Sequence, residues 1–203
     1  MTEAKDHYYT IARESRAHYR EKASRFLGFA LPVSSIDQAK SILSELRKRY
    51  HDANHQCYAY RIGHTDIIWR VSDDNEPSGS AGKSIYGQII SNNLTDVLIV
   101  VIRYFGGTKL GIPGLIKAYR TTARDTLACA EIVERYVEVQ FQISFPYENM
   151  NKVMRFLRDH HARILRQSSE TECMIHFSIR KSLGNTGIEK LRALTNICTI
   201  VNT

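Results

Sequence analysis

The chain has 203 residues, which is enough for one large domain or two small ones. Hydrophobic residues make up 43% of it and charged residues 24%, the balance of an ordinary globular protein, and no apolar run is long enough to span a membrane. With 28 basic and 21 acidic residues the formal net charge is +7, which favours an anionic partner such as RNA.

The first residues, MTEAKDHYYTIARES, contain no apolar signal core, so the sequence predicts a cytoplasmic protein. In such a protein the four cysteines, none of which forms a C-x-x-C pair, are expected to be reduced and buried. They are Cys57, Cys129, Cys173 and Cys198.

The first hundred residues contain both strand and helix patterns. The predicted strands are residues 8–14, 23–33, 55–62 and 67–71, of which the last two form a hairpin. Between the first two strands we expect a polar turn, with a basic spot around Lys22 and Arg25. Two helices are predicted, one over residues 35–50, whose apolar side chains recur on one face, and one from about residue 81 to residue 92.

The stretch from residue 97 to residue 120 is the centre of the prediction. Residues 97–102 are a continuous β-branched and apolar run, typical of a strand that is buried on both faces. A glycine-rich loop follows, and from Leu115 apolar residues recur at helical spacing. Backbone N–H groups at the start of such a helix, beside glycines, can bind an anion such as phosphate. The glycines also fit a purely conformational role, because strand-to-helix turns often need positive φ.

A new pattern begins after residue 135. Alternating apolar residues from Val137 to Phe145 predict a half-exposed strand, and Pro146 begins a helix. A strand near residues 163–166, a further strand ending at Ile179, a helix over residues 183–194 and a strand over residues 197–201 follow. This β-α-β-β-α-β order is the split β-α-β plan of ferredoxin-like domains. We therefore predict an α+β protein of two domains, residues 1–135 and 136–203.

The polar segment of residues 72–84 offers several kinds of chemistry. It is not a nucleotide-triphosphate loop, because Pro77 stands where the first glycine is required and has no N–H for a phosphate. Its carboxylates, Asp73, Asp74 and Glu76, could hold Mg²⁺ or act as a base, but acidic residues before Pro-Ser-Gly more often form turns and helix caps. We therefore expect no metal and no cofactor.

The sequence gives little support for a zinc site or a catalytic nucleophile. His51 and His55 lack a third zinc ligand, and Ser78 lies in no Gly-x-Ser-x-Gly elbow. His55 and Cys57 share one face of a predicted strand, which would permit a thiol–imidazole pair. A buried cysteine beside a hydrogen-bonded histidine is the expected arrangement.

Two segments closely resemble the signatures of the IMPACT/YigZ family. They are SDDNEPSGSAG at residues 72–82 and RYFGGTKLGIPGLIKAY at residues 103–119. The HQCYAY segment at residues 55–60 and residues 22–26 match the family as well. The sequence departs from the family pattern at Asn75 and Pro113, where glycine is common, and at Ser84, where proline is common.

The resemblance implies a first domain similar to the second domain of the S-five ribosomal protein. It also implies a ferredoxin-like second domain similar to the last domain of elongation factor G. Eukaryotic members of the family act in translational control by competing for a ribosome-associated activator of a starvation-sensing kinase. We therefore predict a non-enzymatic protein that associates with RNA or the ribosome, with a protein partner in translational control and no membrane association.

Two alternative functions remain open. The first is a hydrolase-like enzyme that acts on a small anionic substrate with His55, Asp74 and Glu76 converging in one pocket. The second is an adaptor that binds another protein through the exposed sheet face expected of the second domain. The two alternatives place the functional residues in different domains.

The predicted anion- or nucleic-acid-binding surface surrounds the glycine-rich loop. Its residues are Lys83, Arg103, Tyr104, Gly106, Gly107, Lys109, Gly111, Gly114 and Lys117. Tyr104 or Phe105 would offer a base-stacking face if the end of the strand is exposed. The signature-loop residues serve either as ligand contacts or to shape the backbone, and they are Asp73, Asp74, Glu76, Pro77, Ser78 and Gly79.

Overall fold

The computed structural model describes residues 6–169, 172–195 and 199–202 of a mixed α+β protein. The chain forms two compact units. One comprises Tyr8–Arg135, and the other contains the chain from Tyr136 onwards together with Asp6 and His7. The backbone N–H of Val137 donates a hydrogen bond to the carbonyl of Asp6 at 2.6 Å, which attaches these early residues to the second unit.

The first unit is built on a five-stranded sheet. In chain order its elements are β1 (His7–Ile11), β2 (Ser15–Glu21), β3 (Ser24–Pro32), α1 (Ile36–Arg49), β4 (His55–Ile62), β5 (Ile68–Ser72), α2 (Gly82–Ser91), β6 (Val97–Tyr104), α3 (Gly111–Ala128) and β7 (Ile132–Tyr136). The sheet has the order β2-β3-β6-β4-β5 with antiparallel neighbours, and β1 pairs separately with β7.

The central strand β6 is buried on both faces, as the sequence predicts. Every residue from 97 to 102 is 0% exposed. Ile99 packs with Ile89 of α2 and Tyr119 of α3 in one apolar cluster, whereas Val100 packs with Leu46 of α1 in another. Each fully buried side chain of this kind contributes about 1.5–3 kcal/mol. The sheet is therefore the middle layer of three, and the glycine loop begins where its central strand ends.

The segment expected to be a polar turn is strand β2, so that prediction is wrong. Its side chains alternate, because Ala17 and Tyr19 are partly buried while Arg16, His18 and Arg20 are exposed. Tyr19 packs on the apolar cluster beneath α3. In a strand with one face exposed to solvent, only every second side chain needs to be apolar. Residues 132–136, for which no element is predicted, form β7.

The second unit has the predicted β-α-β-β-α-β order. Its elements are β8 (Glu138–Phe145), α4 (Met150–Asp159), β9 (Arg163–Ser169), β10 (Cys173–Arg180), α5 (Lys181–Thr195) and β11 (Thr199–Asn202), with a 3₁₀ turn at Tyr147–Asn149 before α4. The strands lie in the order β11-β8-β10-β9 with antiparallel neighbours. Residues 197 and 198 of the predicted last strand lie outside the described residues.

The core of the second unit joins one face of this sheet to its helices. Phe145 and Phe177 pack with Phe156 of α4 and Leu191 of α5. The opposite face carries polar side chains such as Gln142 of β8.

The cysteines only partly follow the prediction. Cys57 and Cys173 are buried, but Cys129 is exposed because it lies just beyond the end of α3. Cys198 lies outside the described residues. Among the helices that the structure describes, none combines the length and the apolar composition that crossing a membrane would require.

Candidate functional site

Asp73 organises the first signature loop by binding its backbone. Its Oδ1 accepts hydrogen bonds from the N–H groups of Ala81 at 2.9 Å and Gly82 at 2.8 Å, and its Oδ2 accepts one from Gly79 at 2.8 Å. Burial raises the pKa of Asp73, but these three donors and the charge of Lys83 together hold that pKa below its ordinary value. The carboxylate therefore serves as the cap of α2.

Asp74 is bound to the other side of the loop. Its Oδ2 accepts from the backbone N–H of Gln56 at 2.7 Å, and its Oδ1 accepts from Arg47 at 2.9 Å. The backbone has positive φ at Asp74 (40°) and Asn75 (68°). Asparagine tolerates this region, so Asn75 keeps a conformation for which glycine would otherwise be suited.

Glu76 and Arg103 form a buried ion pair. Arg103 NH1 lies 2.6 Å from Glu76 Oε1, and the two side chains are 6% and 3% exposed. The hydroxyl of Tyr119 donates to the same oxygen at 2.8 Å. The rings of Phe26 and Phe105 each lie 5.5 Å from the guanidinium carbon. Arg103 was expected on an exposed anion-binding surface; that expectation needs correction, because the protein's own carboxylate binds its guanidinium in the interior.

The predicted group of His55, Asp74 and Glu76 comes together only in part. His55 Nδ1 lies 2.9 Å from the backbone oxygen of Asp74, so this nitrogen carries the proton, because a carbonyl can only accept. In the neutral ring, Nε2 then bears the lone pair, and it lies 3.8 Å from Glu76 Oε1. The carboxylate of Asp74 does not join them, since Gln56 and Arg47 bind it.

Cys57 contacts the signature loop and not His55. Its thiol donates to the backbone oxygen of Asp73 at 3.0 Å. Burial is the main cause that raises the pKa of this thiol far above its ordinary value. At neutral pH the thiol is therefore protonated and is a poor nucleophile.

The glycine-rich loop between β6 and α3 contacts the β2–β3 turn. A Cβ on Gly106 would lie 2.1 Å from the backbone carbon of Ala23, so only a hydrogen fits there. Gly107 has φ +83°, with open space around it. The backbone N–H of Phe105 donates to Asn54 at 2.7 Å. Gly106 is therefore required by the close approach of the two loops, and a role of these glycines in ligand access stays a prediction.

Replacing Gly106 with alanine is expected to destabilise the first unit. The added methyl would overlap backbone atoms, which can move only if the β2–β3 turn shifts, and overpacking of this kind costs about 1–3 kcal/mol. Urea denaturation should show a lower midpoint with an unchanged slope. Gly87→Ala is the matched control, because nothing lies within 4 Å of a Cβ at that helical position. Equal stability of the two variants would contradict the close approach.

The other predicted surface residues have varied exposures. The three lysines, Lys83, Lys109 and Lys117, are exposed. Phe105 is 44% exposed, so part of its ring is accessible to a binding partner. Tyr104 is half-buried, donates its hydroxyl to Asp52 at 2.9 Å and has the guanidinium of Arg25 at 4.9 Å from its ring.

Sequence reasoning missed a row of basic side chains on the edge hairpin. We call Arg16, His18 and Arg20 of β2, with Arg25 of β3, the hairpin face. The three β2 residues alternate along one strand and so share a face, and Arg20 is paired with Arg25 across the hairpin. The period of two in SRAHYRE was the signal that would have revealed it.

A cavity of about 380 Å³ lies between the signature loop and the glycine-rich loop. It is lined by His55, Glu76, Pro77, Arg103, Phe105, Lys109, Leu110, Gly111, Ile112 and Leu115. Within the described ranges, no group of three or more His, Cys, Asp or Glu side chains is placed to hold a metal ion.

Comparisons with known proteins identify the class of this fold. Residues 22–127 match the Impact N-terminal domain. The chain is 34% identical over 152 residues to the IMPACT family member YvyE of Bacillus subtilis (strain 168), a match that covers 75% of this chain and 70% of that protein. It is 35% identical over 176 residues to an IMPACT family member of Thermus thermophilus, covering 86% of this chain and 93% of that one.

A solved structure of a hypothetical protein has the same overall fold. It superposes with a TM-score of 0.71 at 21% identity, over 97% of this chain and 96% of that one. The first unit is thus an Impact-type domain, followed by a second α+β unit. The chain belongs to the IMPACT family.

Proposed function

We propose that this chain is a non-enzymatic cytoplasmic protein that acts in translation or its regulation by associating with RNA or the ribosome. Family membership supports a translational role, as the resemblance to eukaryotic members implies. We also propose the finer domain likenesses, a first unit related to the second domain of the S-five ribosomal protein and a ferredoxin-like second unit related to the last domain of elongation factor G. Both likenesses are to proteins of the translation machinery.

The hairpin face is the observation that best supports RNA contact. Its four basic side chains are all exposed, and alternate residues along β2 are about 6.8 Å apart. The guanidinium carbon of Arg16 lies 5.4 Å from the ring of Phe29, and that of Arg25 lies 4.9 Å from Tyr104. These rings hold the cations near the sheet, which lowers the entropy lost when a phosphate binds. Glu14 pairs with Arg16 and offsets one charge.

The glycine loop extends this cationic surface. Gly106 contacts Ala23, so the exposed Lys22 of the β2–β3 turn lies beside the loop that carries Lys109. Lys83 and Lys117 are exposed as well and stay in the predicted set. The proposed surface therefore has two parts, the hairpin face and the exposed Lys83, Lys109 and Lys117, while Arg103 lies in the interior.

Replacing Arg20 and Arg25 with alanine is expected to weaken RNA or ribosome binding in a salt-dependent way. Each phosphate contact on single-stranded RNA contributes about 0.7 to the slope of log affinity against log salt, so two lost contacts should reduce that slope by about 1.4. The measurement is co-sedimentation with ribosomes, and with single-stranded RNA alone, over a series of KCl concentrations.

The control removes two exposed cations elsewhere. Lys152→Ala with Lys190→Ala changes the net charge by the same amount in the second unit. A slope that falls equally in both double variants, or in neither, would refute a specific role of the hairpin face. Loss of ribosome binding with intact RNA binding would instead assign the face to a ribosomal protein.

The enzyme alternative has weaker support. His55 and Glu76 approach each other, but Glu76 is already bound by Arg103 and Tyr119, and Asp74 is bound elsewhere. The adaptor alternative would use the open sheet face of the second unit, which carries Gln142 and His176. Deleting residues 137–203 and testing complex formation would separate the adaptor from the RNA-binding function.

A further inference from the structure

The cavity between the two signature loops has the dimensions and the lining of a small-molecule site. Its volume of about 380 Å³ falls within the range of about 300–1,000 Å³ that ligand pockets occupy. Apolar side chains form one part of the wall, and these are Phe105, Leu110, Ile112 and Leu115. The lining also includes polar groups, among them His55, Glu76, Arg103 and Lys109. In ligand pockets, apolar side chains usually bind the body of a ligand and a few polar groups orient it.

The buried guanidinium in the cavity wall has an unused donor. Arg103 is 5% exposed; its NH1 binds Glu76 at 2.6 Å and its NH2 lies 3.4 Å from the hydroxyl of Ser24. Its Nε is buried without a hydrogen-bond partner among the residues that the structure describes. A buried donor of this kind calls for a partner, because its desolvation is otherwise uncompensated. Because Arg103 lines the cavity, a ligand bound there could supply the missing acceptor.

The start of α3 adds further donors. The side chain of the N-cap residue, Leu110, makes no capping hydrogen bond, the first turn of the helix has no acidic residue, and Gly111 and Ile112 line the cavity. The first N–H groups of a helix have no intrahelical acceptor, and the helix dipole makes that end positive. Lys109 lies on the same wall. Since Glu76 is neutralised by Arg103, Lys109 leaves the lining with an excess of positive charge.

We propose that this cavity binds a small organic anion with an apolar body and one carboxylate or phosphate head group. The body contacts Phe105, Ile112 and Leu115, and the head group accepts hydrogen bonds from Lys109 and the first amides of α3, with Arg103 beneath. This inference goes beyond RNA or ribosome binding and does not depend on it, because the hairpin face plays no part in it.

The test is a titration of the ¹⁵N-labelled full chain followed by amide chemical shifts. The probes are phenyl phosphate, benzoate, inorganic phosphate and the neutral benzyl alcohol. We expect the chemical shifts of the Leu110, Gly111 and Ile112 amides to change when one or both aromatic anions are added. The anion that binds more tightly identifies the head group. Inorganic phosphate should bind at least about tenfold more weakly, because it lacks an apolar body.

Two variants at one exposed position separate charge from shape. Ile112 is 54% exposed in the first turn of α3, where an acidic residue suits the helix dipole, so both variants should fold. Ile112→Asp places a negative charge beside the bound anion and should weaken phenyl phosphate and benzoate binding more than about tenfold relative to Ile112→Asn. Lys109→Ala should weaken binding by about tenfold, with Lys152→Ala as its control.

Three outcomes would overturn the proposal. The first is that none of the anions shifts the amides around the cavity. The second is that benzyl alcohol binds as tightly as the aromatic anions, which would make the cavity a plain apolar groove. The third is equal affinity of Ile112→Asp and Ile112→Asn. RNA co-sedimentation of the hairpin-face variants is a separate measurement, so failure of either proposal is recognisable on its own.

Discussion

Replacing Arg103 with methionine is expected to lower the free energy of unfolding by about 3–5 kcal/mol. The substitution keeps much of the side-chain volume but leaves the carboxylate of Glu76, 3% exposed, without its cation. An unpaired charge in a protein interior is among the most destabilising changes known. Urea denaturation at pH 7 measures the loss. Arg120→Met, which removes an exposed arginine on α3, should change stability by less than about 0.5 kcal/mol.

A second substitution tests the cause of that loss. Glu76→Gln in the Arg103→Met background removes the unpaired charge and keeps an oxygen that can accept from Tyr119. It should recover more than half of the lost stability, since replacing both charges of a buried pair is often nearly neutral. If Arg103→Met lowers the free energy of unfolding no more than Arg120→Met does, the buried ion pair does not stabilise the fold. If the double variant recovers nothing, the loss comes from packing and not from charge.

Replacing Asp73 with alanine is expected to cost about 2–3 kcal/mol at pH 7, because three backbone donors lose a charged acceptor. The effect depends on pH. The pKa of Asp73 in the folded protein lies below the ordinary 3.8, so the ionised form stabilises the fold. This stabilisation is fully present well above pH 3.8 and is lost as the pH falls through the lower pKa of the folded state.

Unfolding curves of the wild type and Asp73→Ala between pH 7 and pH 2.5 check this prediction. The two should differ most near neutral pH and converge at the acid end. Asp37→Ala is the control, because that side chain is 93% exposed in the first turn of α1 and makes a surface ion pair. A difference that stays constant down to pH 2.5 would show that the charge of Asp73 is not the cause.

Patterns within short segments of the sequence, such as apolar runs, alternation and helix caps, predicted several strands and helices well. The apolar run of residues 97–102 and the alternation of residues 55–62 became β6 and β4 with almost no change of limits. The helix predicted over residues 35–50 begins after Ser35, whose hydroxyl accepts from the N–H of Gln38 at 3.2 Å. Local hydrogen bonds and periodic burial determine these elements, and both can be read from short segments.

The sequence patterns did not predict strand β2, which is rich in charged residues. The segment of β2 is so polar that its composition predicts a turn, although its alternation has the period of a strand. Edge strands often carry charges that discourage pairing with other chains, so polarity alone is a poor reason to reject one.

The site could not be predicted because its pairings are distant in sequence. Glu76 and Arg103 are 27 residues apart and meet only because the signature loop folds back over the end of β6. The sequence identified both residues but gave no means of pairing them. Pro113, which departs from the family pattern, lies in the first turn of α3. Proline fits there because the N–H groups of the first turn make no helical hydrogen bond.

The pairing of β1 with β7 determines how the first unit can be excised for separate study. The matched family domain ends at residue 127, before β7 begins at Ile132. It also ends before Glu131, whose carbonyl accepts a hydrogen bond from the backbone N–H of Ala12 at 2.9 Å. An expression fragment trimmed to residues 22–127 would lose β1 and β2 at one end and β7 at the other, which leaves the backbone groups of β3 that pair with β2 without partners. Fragments should therefore extend from residue 6 to residue 136, so that both β1 and β7 are retained.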